Sequence, residues 1–145
     1  HLERYLGTTR VMFTHLSSSV LQDRLILTVA FVTGKGAKSC GSTLEQLGMD
    51  SAFDRIITGN AERNTKHEAL NELLNIYHLS PAEIVYVGDT VSDIIQCRMV
   101  NVVCLSAAWC VRNSIQEELG KCNPGKVFNS IEKISEYLLK HTNEY

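Results

Sequence analysis

Residues 84–93, which read Ile-Val-Tyr-Val-Gly-Asp-Thr-Val-Ser-Asp, decide how the rest of the chain is interpreted. The four apolar residues at the start predict a buried strand of a parallel sheet. Gly88 then allows a tight turn, so Asp89 falls at the carboxyl end of that strand. Asp93 follows four residues later, and a helix that begins in the turn would bring both carboxylates to one spot.

Two carboxylates about 4 Å apart repel each other by roughly 4 kcal/mol at an effective dielectric near 20. A sequence that places Asp89 and Asp93 together therefore favours a cation between them, and hard oxygen ligands suit Mg²⁺. The alternative interpretation is a polar turn in which Asp89 or Ser92 only caps the following helix. The stretch by itself leaves both interpretations open.

Composition narrows the class of protein. A chain of 145 residues is expected to form one domain, and its net charge of −2 without any Lys/Arg cluster argues against nucleic-acid binding. No apolar run reaches the length of a membrane span. The five cysteines are an odd number and contain no Cys-x-x-Cys pair, which favours reduced thiols and a cytoplasmic location.

Predicted strands and helices alternate along the chain, which is typical of an α/β protein with a doubly wound, Rossmann-like parallel sheet. The expected strands are 25–32, 53–58, 84–87 and 101–105. The expected helices are 17–24, 39–47, 65–77, 92–99, 114–119 and 130–139. Residues 11–13 allow either a short strand or a linker.

Polar residues follow three of these elements at intervals of about one strand-helix unit. Because parallel strands deliver their carboxyl ends to one edge, we expect these residues to meet there. The Thr33 hydroxyl and the Gly34 amide can donate hydrogen bonds to phosphoryl oxygens, and Lys66 can offset the negative charge. With Asp89 and Asp93 holding Mg²⁺, the set predicts a phosphate site.

That order of residues resembles the haloacid dehalogenase superfamily of phosphatases. The resemblance rests on the apolar strand ending in Thr33, on Lys66, and on Gly88 to Asp93; residues 42–48 also look like the phosphoglycolate phosphatase-like branch. It implies Mg²⁺-dependent hydrolysis of a small phosphomonoester, in which an Asp attacks phosphorus to form an aspartyl-phosphate. By position, Thr33 binds the transferring group, Lys66 stabilises it, Asp89 ligates Mg²⁺, and Asp93 supports the metal site or orients Lys66.

The chain departs from this family at the nucleophile. The Asp-x-Asp that follows the family's first strand is absent, since Asp23 is the only aspartate before Thr33 and no predicted strand precedes it. The cap domain of this branch is missing as well. We therefore interpret residues 1–24 as a linker or cap remnant and residues 25–145 as a core that is incomplete at its N-terminal strand.

In the sheet of this family, the first strand, which is missing here, lies between the strand that ends at Thr33 and the strand that ends at Asp89. Its removal would leave two unpaired strand edges facing each other, which folded chains avoid. Three outcomes are open: residues 11–14 fill the slot, the neighbouring strands close on each other, or another chain donates a strand. The β-branched and aromatic content of residues 10–13 favours the first or the third outcome. The third outcome would make the protein a homodimer by strand donation.

Two functional classes follow. The first is a piece of a Mg²⁺-dependent phosphatase, expected to be inactive as this chain because it has no nucleophile, with a small phosphorylated molecule as its partner. The second is a non-catalytic module of the same fold that binds or interacts. A third and weaker possibility is an unrelated flavodoxin-like binding domain. Neither a nucleic-acid nor a membrane partner is expected.

Overall fold

The strands and helices of the computed structural model follow the predicted alternation closely. Residues 10–15, 26–59, 66–109 and 111–142 are described. The strands are β1 (Arg10–His15), β2 (Ile26–Thr33), β3 (Arg55–Thr58), β4 (Ile84–Gly88), β5 (Val103–Ala107) and β6 (Val127–Phe128). The helices are α1 (Ala37–Gln46), α2 (Lys66–Ile76), α3 (Val91–Met99), α4 (Asn113–Cys122) and α5 (Ile131–Thr142), with a short 3₁₀ turn at Pro81–Glu83. The predicted helix over 17–24 lies outside the described residues.

These strands form a six-stranded sheet in the order β3-β2-β1-β4-β5-β6. The β2–β3, β4–β5 and β5–β6 pairs are parallel. Helices lie on both faces. On one face α2, α3 and α4 pack on a core that includes Tyr86, Leu70 and Ile94. On the other face α1 packs around Phe31 and α5 around Leu105. The α/β, Rossmann-like prediction is confirmed.

The central strand β1 differs from the prediction in its direction. It fills the slot between β2 and β4, as the first of the three expected outcomes required, but it runs antiparallel to both neighbours. A parallel crossover needs a dozen or more residues, and only residues 16–25 separate β1 from β2. The short connection therefore favours an antiparallel pair, and the expectation of a purely parallel sheet is corrected at this strand.

The position of β1 bears on two further expectations. Residues 10–15 belong to the sheet, so the sheet begins inside the segment 1–24 that we interpreted as a linker or cap remnant. Because the chain fills the slot with its own residues, this sheet does not need a strand from a second copy, which was the third of the open outcomes. The orientation also places Arg10 level with Phe31 and Val87, near the edge where β2 and β4 end.

The structure also bears on two predictions from composition, which concern the cysteines and the length of apolar segments. Cys97 and Cys104 are buried in the core as small apolar residues, and the described cysteines, which also include Cys40 and Cys122, are free thiols. Within the described ranges, none of the helices has the length and apolar character needed to cross a lipid bilayer.

Candidate functional site

The residues predicted to meet lie at the carboxyl ends of β2 and β4. Both strands are antiparallel to β1, so they point in the same direction and end at the same edge of the sheet. Strand β2 ends at Thr33, and β4 ends at Gly88, directly before Asp89. Helix α2 begins at Lys66. The topology thus gathers the predicted hydroxyl, amine and acids on one side of the molecule.

The turn after β4 is built around the Asp93 carboxylate, which is fully buried. Its Oδ2 atom accepts hydrogen bonds from the backbone N–H groups of Asp89 (3.1 Å) and Thr90 (3.0 Å) and from the Thr90 hydroxyl (2.8 Å). In return the Thr90 hydroxyl accepts from the Asp93 N–H at 3.1 Å, which completes a capping box at the start of α3. The sequence predicted a cap here but assigned it to Asp89 or Ser92.

Gly88 is required for this turn because of how closely its backbone approaches Asp93. A β-carbon at Gly88 would lie 2.6 Å from both Cγ and Oδ2 of Asp93. Such a contact is far inside van der Waals distance, and backbone and buried carboxylate would both have to move. The glycine therefore allows the carboxylate to reach the N–H groups that it caps.

The other oxygen of Asp93 holds the cation of the site. Oδ1 forms an ion pair with the Lys66 ammonium group and accepts a hydrogen bond from the Tyr86 hydroxyl at 3.1 Å. Burial, followed by the charge of Asp93, raises the pKa of Tyr86, so the phenol stays protonated and donates. Lys66 opens α2, where the helix dipole disfavours a cation, and the Asp93 charge offsets that cost.

Lys66 is therefore close to one of the two predicted acids, as the phosphate-site prediction required. Its side chain is 26% exposed, so the ammonium group is held from the core side and open on the other. Tyr86 was not among the predicted residues. Its signal in the sequence is the alternation of β4, which points Tyr86 toward the same face as α3.

The Asp89 side chain has a different environment from that of Asp93. It is half-buried, and burial, followed by the charge of Asp93, raises its pKa, while Lys66 acts in the opposite direction. Its backbone N–H, rather than its carboxylate, takes part in the bonds around Asp93. Asp89 is thus the acid of this pair that remains open to a ligand.

Thr33, Gly34 and Lys66 line one pocket of about 90 Å³ between the ends of β2 and β3 and the start of α2. Thr33 is buried, and its Oγ1 accepts from the Lys35 N–H at 3.2 Å. Thr58 and Gly59 line the pocket from β3. These two residues were not predicted as part of the site, although the parallel register that pairs Thr33 with Thr58 explains their presence.

Gly59 has a steric role in shaping this pocket. A β-carbon at Gly59 would lie 2.2 Å from the Gly34 carbonyl oxygen, while its N–H donates to the Lys35 carbonyl at 2.9 Å. The two strand exits therefore touch through backbone alone. This close approach keeps the Gly34 end of the turn next to the pocket.

The side chains available as metal ligands only partly fit the expected Mg²⁺. Within the described ranges, no group of three His, Cys, Asp or Glu side chains is placed to hold a metal ion. A carboxylate offers about four lone-pair sites, and the donors around Asp93 already occupy them. Of the two roles expected for Asp93, the contacts favour orienting Lys66. Asp89 is the one acid of the pair left to ligate the ion.

Comparisons with known proteins show the family of the chain. Residues 13–107, more than half of the chain, match the family model described as haloacid dehalogenase-like hydrolase. The phosphoglycolate phosphatase of Vibrio parahaemolyticus is 30% identical over 111 residues, covering 75% of this chain and 48% of the relative. That of Vibrio cholerae is 31% identical over 113 residues, covering 77% and 49%. The chain spans about half the length of these relatives.

Solved structures share the fold. A haloacid dehalogenase-like family hydrolase from Streptococcus pneumoniae aligns with a TM-score of 0.66 at 19% identity, over 77% of this chain and 52% of the other. A protein described as a predicted phosphatase from Clostridium acetobutylicum aligns with a TM-score of 0.68 at 17% identity, over 78% and 52%. At these identities the likeness concerns the fold alone.

Proposed function

Because the chain belongs to the haloacid dehalogenase-like hydrolase family, we propose that it is the phosphate-binding part of a phosphatase that acts on small phosphomonoesters. Its similarity to phosphoglycolate phosphatases supports a substrate of that size. The observation that carries the proposal is the Lys66 ammonium group, held by buried Asp93 in the pocket that Thr33 and Gly34 also line.

Three residues that line the pocket and two acids of the turn after β4 have roles in this proposal. The Thr33 hydroxyl and the Gly34 N–H donate to phosphoryl oxygens, and Lys66 offsets part of their charge. Asp93 positions Lys66 from the core. Asp89 is the carboxylate that would ligate Mg²⁺ together with phosphate oxygens, which is how this ion is commonly held. When bound, Mg²⁺ supplies further neutralisation of the phosphate charge.

We further propose that residues 1–145 bind phosphate without turning over an ester. Strand β1, which fills the central slot, contains no Asp or Glu, so it brings no carboxylate between the ends of β2 and β4. The aspartyl-phosphate expected from the family resemblance has no candidate nucleophile among the described residues of that slot. The pocket is thereby suited to holding a phosphoryl group rather than attacking it.

The same observation favours a second candidate function, a non-catalytic binding module. A chain that binds phosphate but lacks the attacking acid would sense or carry a small phosphorylated molecule. A cytoplasmic location belongs to both proposals, and the free thiols of the described cysteines support it.

Two assays test the proposals separately. Isothermal titration with inorganic phosphate should show saturable binding that Lys66→Met weakens at least tenfold, about 1.4 kcal/mol. Lys121→Met, which removes an exposed cation from α4, is the matched control and should leave binding unchanged. Phosphate binding that is absent, or equal in wild type and Lys66→Met, would contradict the phosphate site.

The second assay measures hydrolysis of p-nitrophenyl phosphate with and without Mg²⁺. We expect no turnover above background in either condition. Mg²⁺-dependent hydrolysis that disappears in Asp89→Asn would show that the chain is a working enzyme. That result would overturn the proposed inactivity while leaving the phosphate site in place.

A further inference from the structure

A second cavity lies at the opposite edge of the sheet, where β5 begins. It has a volume of about 300 Å³ and is lined by apolar residues of α3 and β5 and by residues of the turn after α4. Its charged lining residues are Arg98 and Lys126, both cations. The lining contains no Asp or Glu. The cavity is separate from the pocket of Thr33 and Lys66.

The turn that forms one wall of this cavity is held by a buried side chain. Asn123 is 7% exposed, and its Nδ2 atom donates to the Cys104 carbonyl (2.9 Å) and to the Ser106 hydroxyl (3.0 Å). The Lys126 carbonyl accepts from the Ser106 N–H at 2.8 Å, and Gly125 has φ of 78°. The backbone that carries Lys126 is therefore fixed against β5 before any ligand binds.

Arg98 is fixed as well, but by a neutral partner. Its guanidinium group donates to the backbone carbonyl of Cys122 at the end of α4. Because a guanidinium group has five N–H donors, this bond leaves other donors of Arg98 available. The carbonyl is neutral, so it does not neutralise the positive charge. Among the described residues, neither Arg98 nor Lys126 forms an ion pair. Two positive charges thus share one preformed cavity.

The remaining lining defines the rest of the ligand. Ile94, Val102 and Pro124 give the cavity an apolar wall, and the volume is at the lower end of the range for small-molecule sites. We propose that this cavity binds a small organic anion whose charged group lies between Arg98 and Lys126 and whose apolar part contacts this wall. The site is independent of the proposed phosphatase function.

Benzoate is a suitable probe because it has one carboxylate, one apolar ring and no phosphoryl group. Isothermal titration should show saturable benzoate binding, with the Kd raised about tenfold in Arg98→Gln, which corresponds to one charge-assisted contact. Benzamide, the neutral isostere, should bind at least tenfold more weakly. Lys121→Gln removes an exposed α4 cation that does not line the cavity and should leave the Kd unchanged.

Lys126→Gln keeps the test valid if Arg98→Gln unfolds through loss of its bond to Cys122. It should also raise the Kd for benzoate several-fold, and urea unfolding shows whether each variant is folded. Phenylphosphonate, measured in the Lys66→Met background, distinguishes a phosphoryl from a carboxylate ligand. Equal binding of benzamide, equal losses in Lys121→Gln, or no loss in folded Arg98→Gln and Lys126→Gln would each overturn the proposal.

Discussion

The turns that follow β2 and β4 both deliver residues to the candidate phosphate site, but they are built differently. After β4, the buried Asp93 carboxylate accepts from two backbone N–H groups, two hydroxyls and Lys66. After β2, the Thr33 hydroxyl accepts from one N–H, and α1, which begins at Ala37, has Gly36 at its N-cap and therefore no side-chain cap. The polar groups of the turn after β4 bond to one another and to Lys66, whereas the turn after β2 has groups that can still form hydrogen bonds with a ligand.

This difference suggests a division of labour between the two turns. A buried charge is tolerated only when partners and hydrogen bonds replace water, so the Asp93 turn contributes to folding and fixes Lys66. The β2 turn makes few internal bonds, and its hydroxyl and amide can therefore donate to a ligand. We expect substitutions in the first turn to act mainly on stability and those in the second mainly on binding.

Asp93→Ala should have the largest effect, because it leaves Lys66 without its buried partner and removes the Asp93 half of the capping box of α3. Breaking a buried ion pair costs about 3–5 kcal/mol of unfolding free energy. Urea unfolding followed by circular dichroism measures this loss. Asp50→Ala, at an exposed position, should change stability by less than about 0.5 kcal/mol. A loss below about 1 kcal/mol in Asp93→Ala would mean that the turn is not held by its carboxylate.

A pair of matched threonine variants compares the two turns directly. Thr90→Val removes a helix cap and should cost about 0.5–2 kcal/mol of stability. Thr33→Val keeps the side-chain volume and removes a hydroxyl that bonds one N–H, so we expect a smaller loss of stability. Its Kd for inorganic phosphate should instead rise about tenfold. The division of labour is wrong if Thr33→Val is the less stable of the two and binds phosphate normally.

The sequence predicted the location of the β4 turn because its determinants are local, although it assigned the helix cap to Asp89 or Ser92 instead of Thr90. Gly88, Asp89 and Asp93 lie within one strand-helix junction, and their spacing already implies a shared location. The Lys66–Asp93 contact was expected through the position of Lys66 in the family pattern. By contrast, the roles of Thr58 and Gly59 depend on the register between β2 and β3, which no local pattern contains.

The direction of β1 could not be predicted from its composition. Residues 10–13 have the β-branched and aromatic content of a strand, and that content predicts pairing without a direction. Direction depends on the length of the connection to β2 and on the two edges available in the sheet. A purely parallel sheet was therefore the wrong expectation for this strand, even though the slot that it fills was identified correctly.

Asp89 lies between the turn after β4 and the candidate site. Its contribution to the pH dependence of folding stability should be the smallest effect and gives the most selective test. Its pKa is raised above the ordinary value of 3.8 by burial and then by the charge of Asp93. Between the unfolded and folded pKa values, the folded state holds more protons, so ionisation of Asp89 lowers stability as the pH rises. Asp89→Asn cannot ionise at this position, so it does not lose stability in this way.

We therefore expect Asp89→Asn to gain stability relative to wild type as the pH rises from about 3 to about 7, with the gain beginning near the ordinary pKa of 3.8. Urea midpoints measured in metal-free buffer across this range provide the comparison, and Asp50→Asn controls for loss of an exposed acid. A difference that stays constant with pH would mean that Asp89 is as well solvated in the folded state as in the unfolded chain. If Asp89→Asn instead lost stability relative to wild type as the pH rises, the Asp89 charge would stabilise the turn, as the Asp93 charge does. The two acids would then no longer differ, and the proposed role of Asp89 as the acid open to a ligand depends on that difference.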